Sequence, residues 1–249
     1  MNFDVQQVTW AVLAVFMGGF LKGATGAGAP VVGIPILTAL FGIQFAVAVF
    51  SVLNLMSNFW HAYAYRMHRP SNRFVLRFAL TGALGALIGS FFLVWLPTDA
   101  LMAFLALIVF SYVALRFAKP DWKLARERGT QFVPYAGLAG GLMQGAGGIS
   151  APVSVTFLNA MKLSRPEFIG TISIFFCAMS LVQIPSLAGL GILDRERFVA
   201  SVIATVPLFA GIWLGERAAR HLSKVWFDRA VLTLLVVMAV RLIWIAILG

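Results

Sequence analysis

A run of 43 residues, 23–65, contains no Asp, Glu, Lys or Arg. Soluble domains carry about a quarter charged residues, whereas 11% of these 249 residues are charged and 61% are hydrophobic. Because a bilayer core about 30 Å thick needs about 20 apolar residues per helix, such a run is suited to lipid rather than water. Together with four shorter uncharged runs, it predicts an all-α polytopic membrane protein; these runs are 78–98, 129–161, 168–193 and 198–215.

The basic residues are clustered in short stretches between the apolar runs. A net charge of +10 could indicate a nucleic-acid partner, but this spacing is typical of cytoplasmic loops that follow the positive-inside rule. We therefore predict a multi-pass protein of the cell (inner) membrane whose partners are the lipid bilayer and a small solute, and no nucleic acid. The clusters are Arg66, Arg69, Arg73 and Arg77; Lys119, Lys123, Arg126 and Arg128; and Arg217, Arg220, Lys224 and Arg229.

An internal repeat divides the chain into halves. Residues 18–31 align without a gap with residues 140–153, at an offset of 122, and eight of the fourteen positions are identical. Two glycine pairs and two Ala-Pro-Val triplets at one spacing favour gene duplication over chance. The predicted organisation is a first repeat at 1–118, a basic cytoplasmic linker at 119–131 and a second repeat at 132–249.

Each repeat divides into five apolar segments. Because five is odd, the second repeat would enter the membrane upside down relative to the first, which makes an inverted repeat. The basic clusters fit one alternating topology with both termini outside. The predicted segments are 4–22, 30–42, 44–65, 74–96 and 99–118, then 132–146, 149–161, 167–191, 197–216 and 228–248.

The second segment of each repeat is too short to cross the bilayer alone. Thirteen residues rise about 20 Å in a helix. We therefore expect each glycine-rich motif to form the tip of a short helical hairpin that reaches the membrane interior, with Pro30 or Pro152 in the first turn of the following helix, where a missing N–H costs nothing. Two tips entering from opposite faces would meet near the midplane.

The tips predict an anion site, because a helix N-terminus presents free N–H groups and a positive dipole end. Lys22 adds a full charge to one tip only. The candidate substrate-binding residues at the tips are Lys22, Thr25, Gly26, Gly28, Gln144, Gly147, Gly148 and Ser150, and those along the third segments are Ser51, Asn54, Thr171 and Ser173.

Each candidate has a structural alternative. Gly19 with Gly23, and Gly141 with Gly145, have the spacing that lets helices pack closely, and Gly85 to Gly89 and Gly211 to Gly215 favour packing faces. Lys22 could extend to the membrane surface, which is the favoured interpretation for Arg241. The polar residues of the third segments could simply bond neighbouring helices.

Other chemistries lack their residues. The three histidines, His61, His68 and His221, have no metal-ligand spacing, and none of the nine carboxylates lies at the centre of a long apolar run, as a proton relay would need. There is no nucleotide loop or catalytic constellation. We therefore expect no metal, no cofactor and no enzymatic activity.

With the paired motifs in view, the chain resembles the TauE/SafE sulfite exporter family over nearly its whole length. Residues 141–152 follow that family's Gly-x-x-x-Gly-x-Gly-Gly-like signature, whereas the first copy departs from it at Lys22, Thr25 and Ala27. The resemblance implies export of sulfite, organosulfonates or related anions. The expected mechanism is alternating access by rocking of the two halves; the alternatives are a passive anion channel and a permease for another small organic anion.

Overall fold

The computed structural model describes residues 4–118 and 123–218, and over those residues it consists of helices joined by short turns, without strands. This confirms the all-α class. Thr98–Ala118, the fifth helix, is followed by the break at 119–122. The nine helices of the described residues are, in order, α1 (Val5–Thr25), α2 (Ala29–Phe41), α3 (Ile43–Ala64), α4 (Asn72–Trp95), α5 (Thr98–Ala118), α6 (Arg126–Gly147), α7 (Ala151–Ala160), α8 (Arg165–Gly189) and α9 (Arg195–Ala218).

Five of these helices are long and apolar enough to cross a membrane: α1, α3, α4, α8 and α9. They confirm a multi-pass membrane protein. The short second segments are also confirmed, since α2 has 13 residues and α7 has 10. The predicted last segment, 228–248, and five basic residues named above lie outside the described residues; these are Lys119, Arg220, Lys224, Arg229 and Arg241, and His221 lies there too.

Helix α6 begins earlier than the sequence predicted. It starts at Arg126, inside the predicted linker 119–131, and not at residue 132. Arg and Glu have good helix propensity, so the charged residues at 126–128 extend the helix although they end the apolar run. Apolar content marks where a helix can lie in lipid, whereas backbone hydrogen bonds decide where it begins.

The glycine-rich motifs break the helices where the repeat predicts. Helix α1 ends at Gly26, whose φ is +88°, and Gly28 at φ +104° precedes α2. Helix α6 ends at Gly148, at φ +73°. These left-handed conformations suit glycine because it lacks a Cβ atom. Pro30 and Pro152 lie in the first turns of α2 and α7, as expected.

The closest helix packing joins the first predicted repeat to the second. A Cβ atom added at Gly19 or Gly23 of α1 would overlap the α9 backbone at Leu208 or Ile212. The contact is reciprocal, because glycines of α9 approach the α1 backbone equally closely: Gly211 lies against Phe16 and Gly215 against Phe20.

Helices α4 and α6 repeat this arrangement. Gly141 and Gly145 of α6 approach the α4 backbone, and two glycines of α4 approach α6: Gly85 lies against Leu138 and Gly89 against Leu142. Each contact matches one of the α1–α9 contacts, at an offset of 122 between α1 and α6 and of 126 between α4 and α9. The outer glycines of both motifs therefore have the packing role that the sequence left open.

Helices α3 and α8 pack against each other, and each glycine turn contacts a different helix of this pair. Gly26 lies against Ile169, next to Gly170, which contacts the Tyr65 carbonyl at the end of α3. Gly148 instead lies against Val47, near the start of α3.

The meeting of the two turns near the membrane midplane stays a prediction. Helix α1 has 21 residues and α6 has 22, and both continue past the predicted ends of their apolar segments at 22 and 146. The orientation of the two repeats relative to a bilayer stays a prediction.

Candidate functional site

Polar side chains form a buried stripe along α3. Ser51, Asn54, Asn58 and His61 follow one another at intervals of three or four residues, so they share one face of the helix, and each is at most 3% exposed. The other residues of α3 are mostly apolar, and the helix is long enough to cross a membrane. Buried polar groups need partners, and the neighbours of this stripe therefore identify the site.

Lys22 of α1 reaches this stripe. Its side chain is 2% exposed, and its Nζ donates hydrogen bonds to Asn58 Oδ1 at 2.7 Å and Ser57 Oγ at 3.0 Å. The close α1–α9 packing through Gly23, next in the chain, helps to fix the position of Lys22. Lys22 thus points into the protein, and extension to the membrane surface is not what the structure shows.

Both partners of the Lys22 ammonium are neutral oxygens. Within residues 4–118 and 123–218, no carboxylate forms an ion pair with it. An ammonium group removed from water loses several kcal/mol of solvation, and neutral partners return only part of that energy. This arrangement favours binding of a negatively charged group beside Lys22.

The start of α2 lies at the level of Asn54. Gly33 of α2 packs against the Phe50 ring, and the Phe41 and Phe45 rings are 4.8 Å apart, so α2 runs antiparallel to α3 and begins about one turn before Gly33. Asn54 Nδ2 is buried and has no hydrogen-bond partner among the described residues. Asn54 is one turn from Asn58. A positive helix end and an amide donor therefore lie next to the Lys22 site.

The other candidates at the first turn shape the backbone. Gly26 N donates to Lys22 O at 2.6 Å. The Thr25 hydroxyl contacts Ala27 O at 2.6 Å and Leu21 O at 2.9 Å. Gly28 has a positive φ. These groups hold the turn after Lys22, and their polar atoms are used locally.

The second turn repeats the local geometry without a charge. Gly148 N donates to Gln144 O at 2.8 Å, and Ser150 Oγ bonds Ser154 Oγ at 2.9 Å. Gln144 is 1% exposed, and its Oε1 has no hydrogen-bond partner in the part of the chain that is described. A Cβ atom at Gly147 would come 3.1 Å from Ile108, so Gly147 lies in apolar surroundings.

The candidates along α3 and α8 differ in their bonding. Ser51 Oγ donates to Ala48 O at 2.7 Å, within its own helix. Thr171 and Ser173 are fully buried, and their hydroxyls lack a hydrogen-bond partner within 4–118 and 123–218. These two hydroxyls, like Asn54 Nδ2, can bond a further group, whereas Ser51 is already satisfied.

A comparison of equivalent positions shows that the two repeats differ chemically. At the offset of 122, Lys22 corresponds to Gln144 and Asn54 corresponds to Phe176. Phe176 and its neighbour Phe175 belong to an apolar cluster that also contains Phe78, and the Phe78 and Phe175 rings stack at 3.9 Å. The second repeat therefore has an aromatic ring at the position of Asn54, whereas the equivalents of Ser51, Asn58 and His61, which are Ser173, Ser180 and Gln183, are buried and polar but neutral.

The candidate list from the sequence does not contain four residues that lie at the Lys22 site or beside it. Ser57 and Asn58 were not selected as partners of Lys22, and His61 was considered only as a metal ligand. His61 Nε2 lies 3.4 Å from Glu216 Oε1 of α9. The signal that could have found His61 is its spacing of three residues from Asn58 on the polar face of α3; Glu216, at a helix end, gives no such signal.

A model of the family described as "Sulfite exporter TauE/SafE" matches residues 11–242. No curated protein and no solved structure matches the chain.

Proposed function

Since the chain belongs to the TauE/SafE sulfite exporter family, we propose that it is a secondary transporter of the cell (inner) membrane that exports a small sulfur-containing anion, such as sulfite or an organosulfonate, through the Lys22 site. The family is one of membrane anion exporters. The single observation that carries the proposal is the buried Lys22 ammonium, whose two hydrogen-bond partners, Ser57 and Asn58, are neutral.

The substrate class follows from the groups around Lys22. An ammonium, the Asn54 amide and the positive end of α2 are all suited to negative charge. These groups are few and lie within a closely packed bundle, which favours a compact oxyanion over an extended one. A sulfite or sulfonate group offers three oxygens, enough to bond all of these donors at once.

The membrane potential can drive export. In a cell that is negative inside, each negative charge that leaves gains about 2.3 kcal/mol per 100 mV. An anion bound at Lys22 needs only alternate exposure to the two sides, without ATP. The Gly26 turn contacts Ile169 of α8 and the Gly148 turn contacts Val47 of α3, two positions related by the offset of 122. This reciprocal contact supports an inverted repeat and thus such two-sided access.

The packing indicates which helices move together. If residues 1–118 rocked against 132–249 as units, α1 would separate from α9 and α4 from α6, at the glycine contacts where the backbones approach most closely. We define bundle A as α1, α2, α3 and α9, and bundle B as α4, α6, α7 and α8. Rocking of bundle A against bundle B keeps both glycine interfaces intact and changes the α3–α8 contact, which joins the bundles.

Counterflow in proteoliposomes tests the function. Proteoliposomes loaded with unlabelled sulfite should take up radiolabelled sulfite in a saturable manner, and thiosulfate or sulfoacetate should compete if the site accepts them. Large unitary currents without saturation would instead indicate a channel. A carboxylate such as acetate provides the control for a nonspecific anion.

The substitution Lys22→Gln tests whether the anion binds at Lys22. It removes the charge and introduces the residue found at the equivalent position of the second repeat, Gln144. A hydrogen bond to a charged group contributes about 1.5–3 kcal/mol, so counterflow at low substrate concentration should fall about tenfold or more. Lys123→Gln, which removes an exposed lysine, should change it little. Equal effects of the two substitutions would contradict the site.

A further inference from the structure

Beside Lys22, α3 and α9 bring together a second pair of ionisable groups. His61 Nε2 lies 3.4 Å from Glu216 Oε1. The His61 side chain is 4% exposed, whereas that of Glu216 is 51% exposed. The pair therefore connects the buried polar stripe to the protein surface near the basic cluster that begins at Arg217.

From this geometry we propose that His61 and Glu216 form a proton pathway to the Lys22 site, so that each transported anion moves with a proton. The proposal rests on the anion site described above. It adds a coupling ion, which the family match does not specify. The coupled step is a proton transfer in which Glu216 passes a proton from water to a His61 ring nitrogen, and the proton returns to water when the anion leaves.

The second nitrogen of His61 supports this role. His61 Nδ1 is buried and has no hydrogen-bond partner among the described residues, although imidazole nitrogens at buried positions normally bond another group. His61 is one turn beyond Ser57 and Asn58, the residues that hold Lys22. A proton on His61 thus adds positive charge one helical turn from the residues that hold the ammonium.

The sign of the coupling follows from charge. Protonated His61 and Lys22 repel each other, and the negative charge of an anion bound beside Lys22 offsets that repulsion. Anion binding therefore favours protonation, and protonation favours anion binding, by the same factor. Proton and anion should move in the same direction. A divalent anion accompanied by one proton still carries one negative charge, so the membrane potential continues to favour its exit.

Few other ionisable groups face His61. The Tyr65 ring meets it edge-on, with centroids 6.2 Å apart, and the free thiol of Cys177 belongs to α8. Arg217 lies over the Trp213 ring instead, 3.7 Å from its centroid. Helix α2 contains no ionisable side chain, and no described charged side chain of α5, α6 or α8 forms an ion pair with His61.

The second repeat lacks this pathway. His61 corresponds to Gln183 at the offset of 122, and Glu216 corresponds to Ser90 at the offset of 126 that relates α4 to α9. Gln183 Nε2 donates to Gln144 O at 3.3 Å, and Ser90 Oγ donates to Ala86 O at 2.7 Å. Neither side chain titrates. Ionisable residues thus replace neutral ones at both positions, together with Lys22 in place of Gln144.

Thiosulfate uptake into proteoliposomes tests the proposal, because thiosulfate keeps its charge across the neutral pH range. Potassium and valinomycin hold the membrane potential at zero while the outside is made one pH unit more acidic than the inside. One proton per anion should then accumulate thiosulfate up to about tenfold for each pH unit. Counterflow of thiosulfate and of sulfite at equal pH on both sides is measured in parallel, and protein-free liposomes give the background.

Two variants carry the residues that the second repeat has at the equivalent positions, so we expect both variants to fold. His61→Gln and Glu216→Ser should retain measurable counterflow but lose the accumulation driven by the pH gradient, while Glu127→Gln, which removes an exposed carboxylate elsewhere, should accumulate thiosulfate like the wild type. Accumulation by either pathway variant at the wild-type level, or wild-type counterflow without any response to the pH gradient, would overturn the proposal. Absence of wild-type counterflow with both anions would contradict the transport function itself, and this proposal with it.

Discussion

Lys22 carries a charge at a buried position where the second repeat is neutral. Its equivalent, Gln144, is equally buried but neutral. The sequence singled out Lys22 because a cation inside an apolar segment is unusual, yet it left open whether the side chain pointed outward. Its direction depends on Ser57 and Asn58, which are 35 and 36 residues away along the chain. No local pattern around residue 22 contains that information.

The cost of burying Lys22 gives a prediction for stability. Lys22→Gln should stabilise the anion-free protein by about 1 kcal/mol or more, because it removes a desolvated charge while a Gln side chain can still bond Ser57 or Asn58. Thermal unfolding in detergent should show a rise in Tm of about 2–4 °C. The stabilisation that sulfite gives to the wild type should disappear in this variant.

Lys123→Gln is the matched control, since it removes the same charge from an exposed position and should leave both Tm and the response to sulfite unchanged. A lower Tm for Lys22→Gln without sulfite would indicate that Lys22 stabilises the fold through its hydrogen bonds, and would contradict its role as an anion site.

At the level of helices, the glycine motifs combine two functions. Gly26 and Gly148 end helices in a left-handed conformation, which the sequence predicted from the chain breaks beside Pro30 and Pro152. The outer glycines instead let α1 approach α9 and α6 approach α4. Sequence spacing showed that these glycines could pack closely, but not against which helix, because their partners lie in the other half of the chain.

One glycine contact can be tested by a single methyl group. Gly145→Ala should destabilise the protein by about 1–3 kcal/mol, the usual effect of overpacking, because the new Cβ would overlap the Ala86 backbone. Gly189→Ala is the control, since no atom lies within 4 Å of its added Cβ. Thermal unfolding followed by size-exclusion fluorescence measures both. Equal Tm values would show that α4 and α6 are not in close contact.

In the whole molecule, the closest helix pairs each join the first repeat to the second. Helix α1 packs on α9, and α4 packs on α6. The sequence predicted the duplication and most helix bounds, since both depend on apolar content and repeated motifs within a short window. It did not predict these pairs, because the partner of a membrane helix is chosen by shape and small residues rather than by hydrophobicity. The sequence also predicted that the two halves of the chain rock against each other. That motion would separate the helices at the glycine contacts, where their backbones approach most closely.

Distances between spin labels test which units move. On a Cys177→Ser background, labels at the exposed positions Val12 of α1 and Val206 of α9 lie within bundle A, and labels at Leu84 of α4 and Tyr135 of α6 lie within bundle B. Double electron–electron resonance spectroscopy should give the same distances within each bundle with and without sulfite. The distance between Val12 and Leu84 should change. A change in the Val12–Val206 distance without one between the bundles would contradict this division.

A structure with selenite, the selenium analogue of sulfite, tests the central claim most directly, because the anomalous signal of selenium identifies the anion position in a crystal. We predict a peak within hydrogen-bond distance of Lys22 Nζ, next to Asn54 and the start of α2, and its loss in Lys22→Gln crystals. A peak confined to the second turn, at Gly148 and Ser150, would contradict the account.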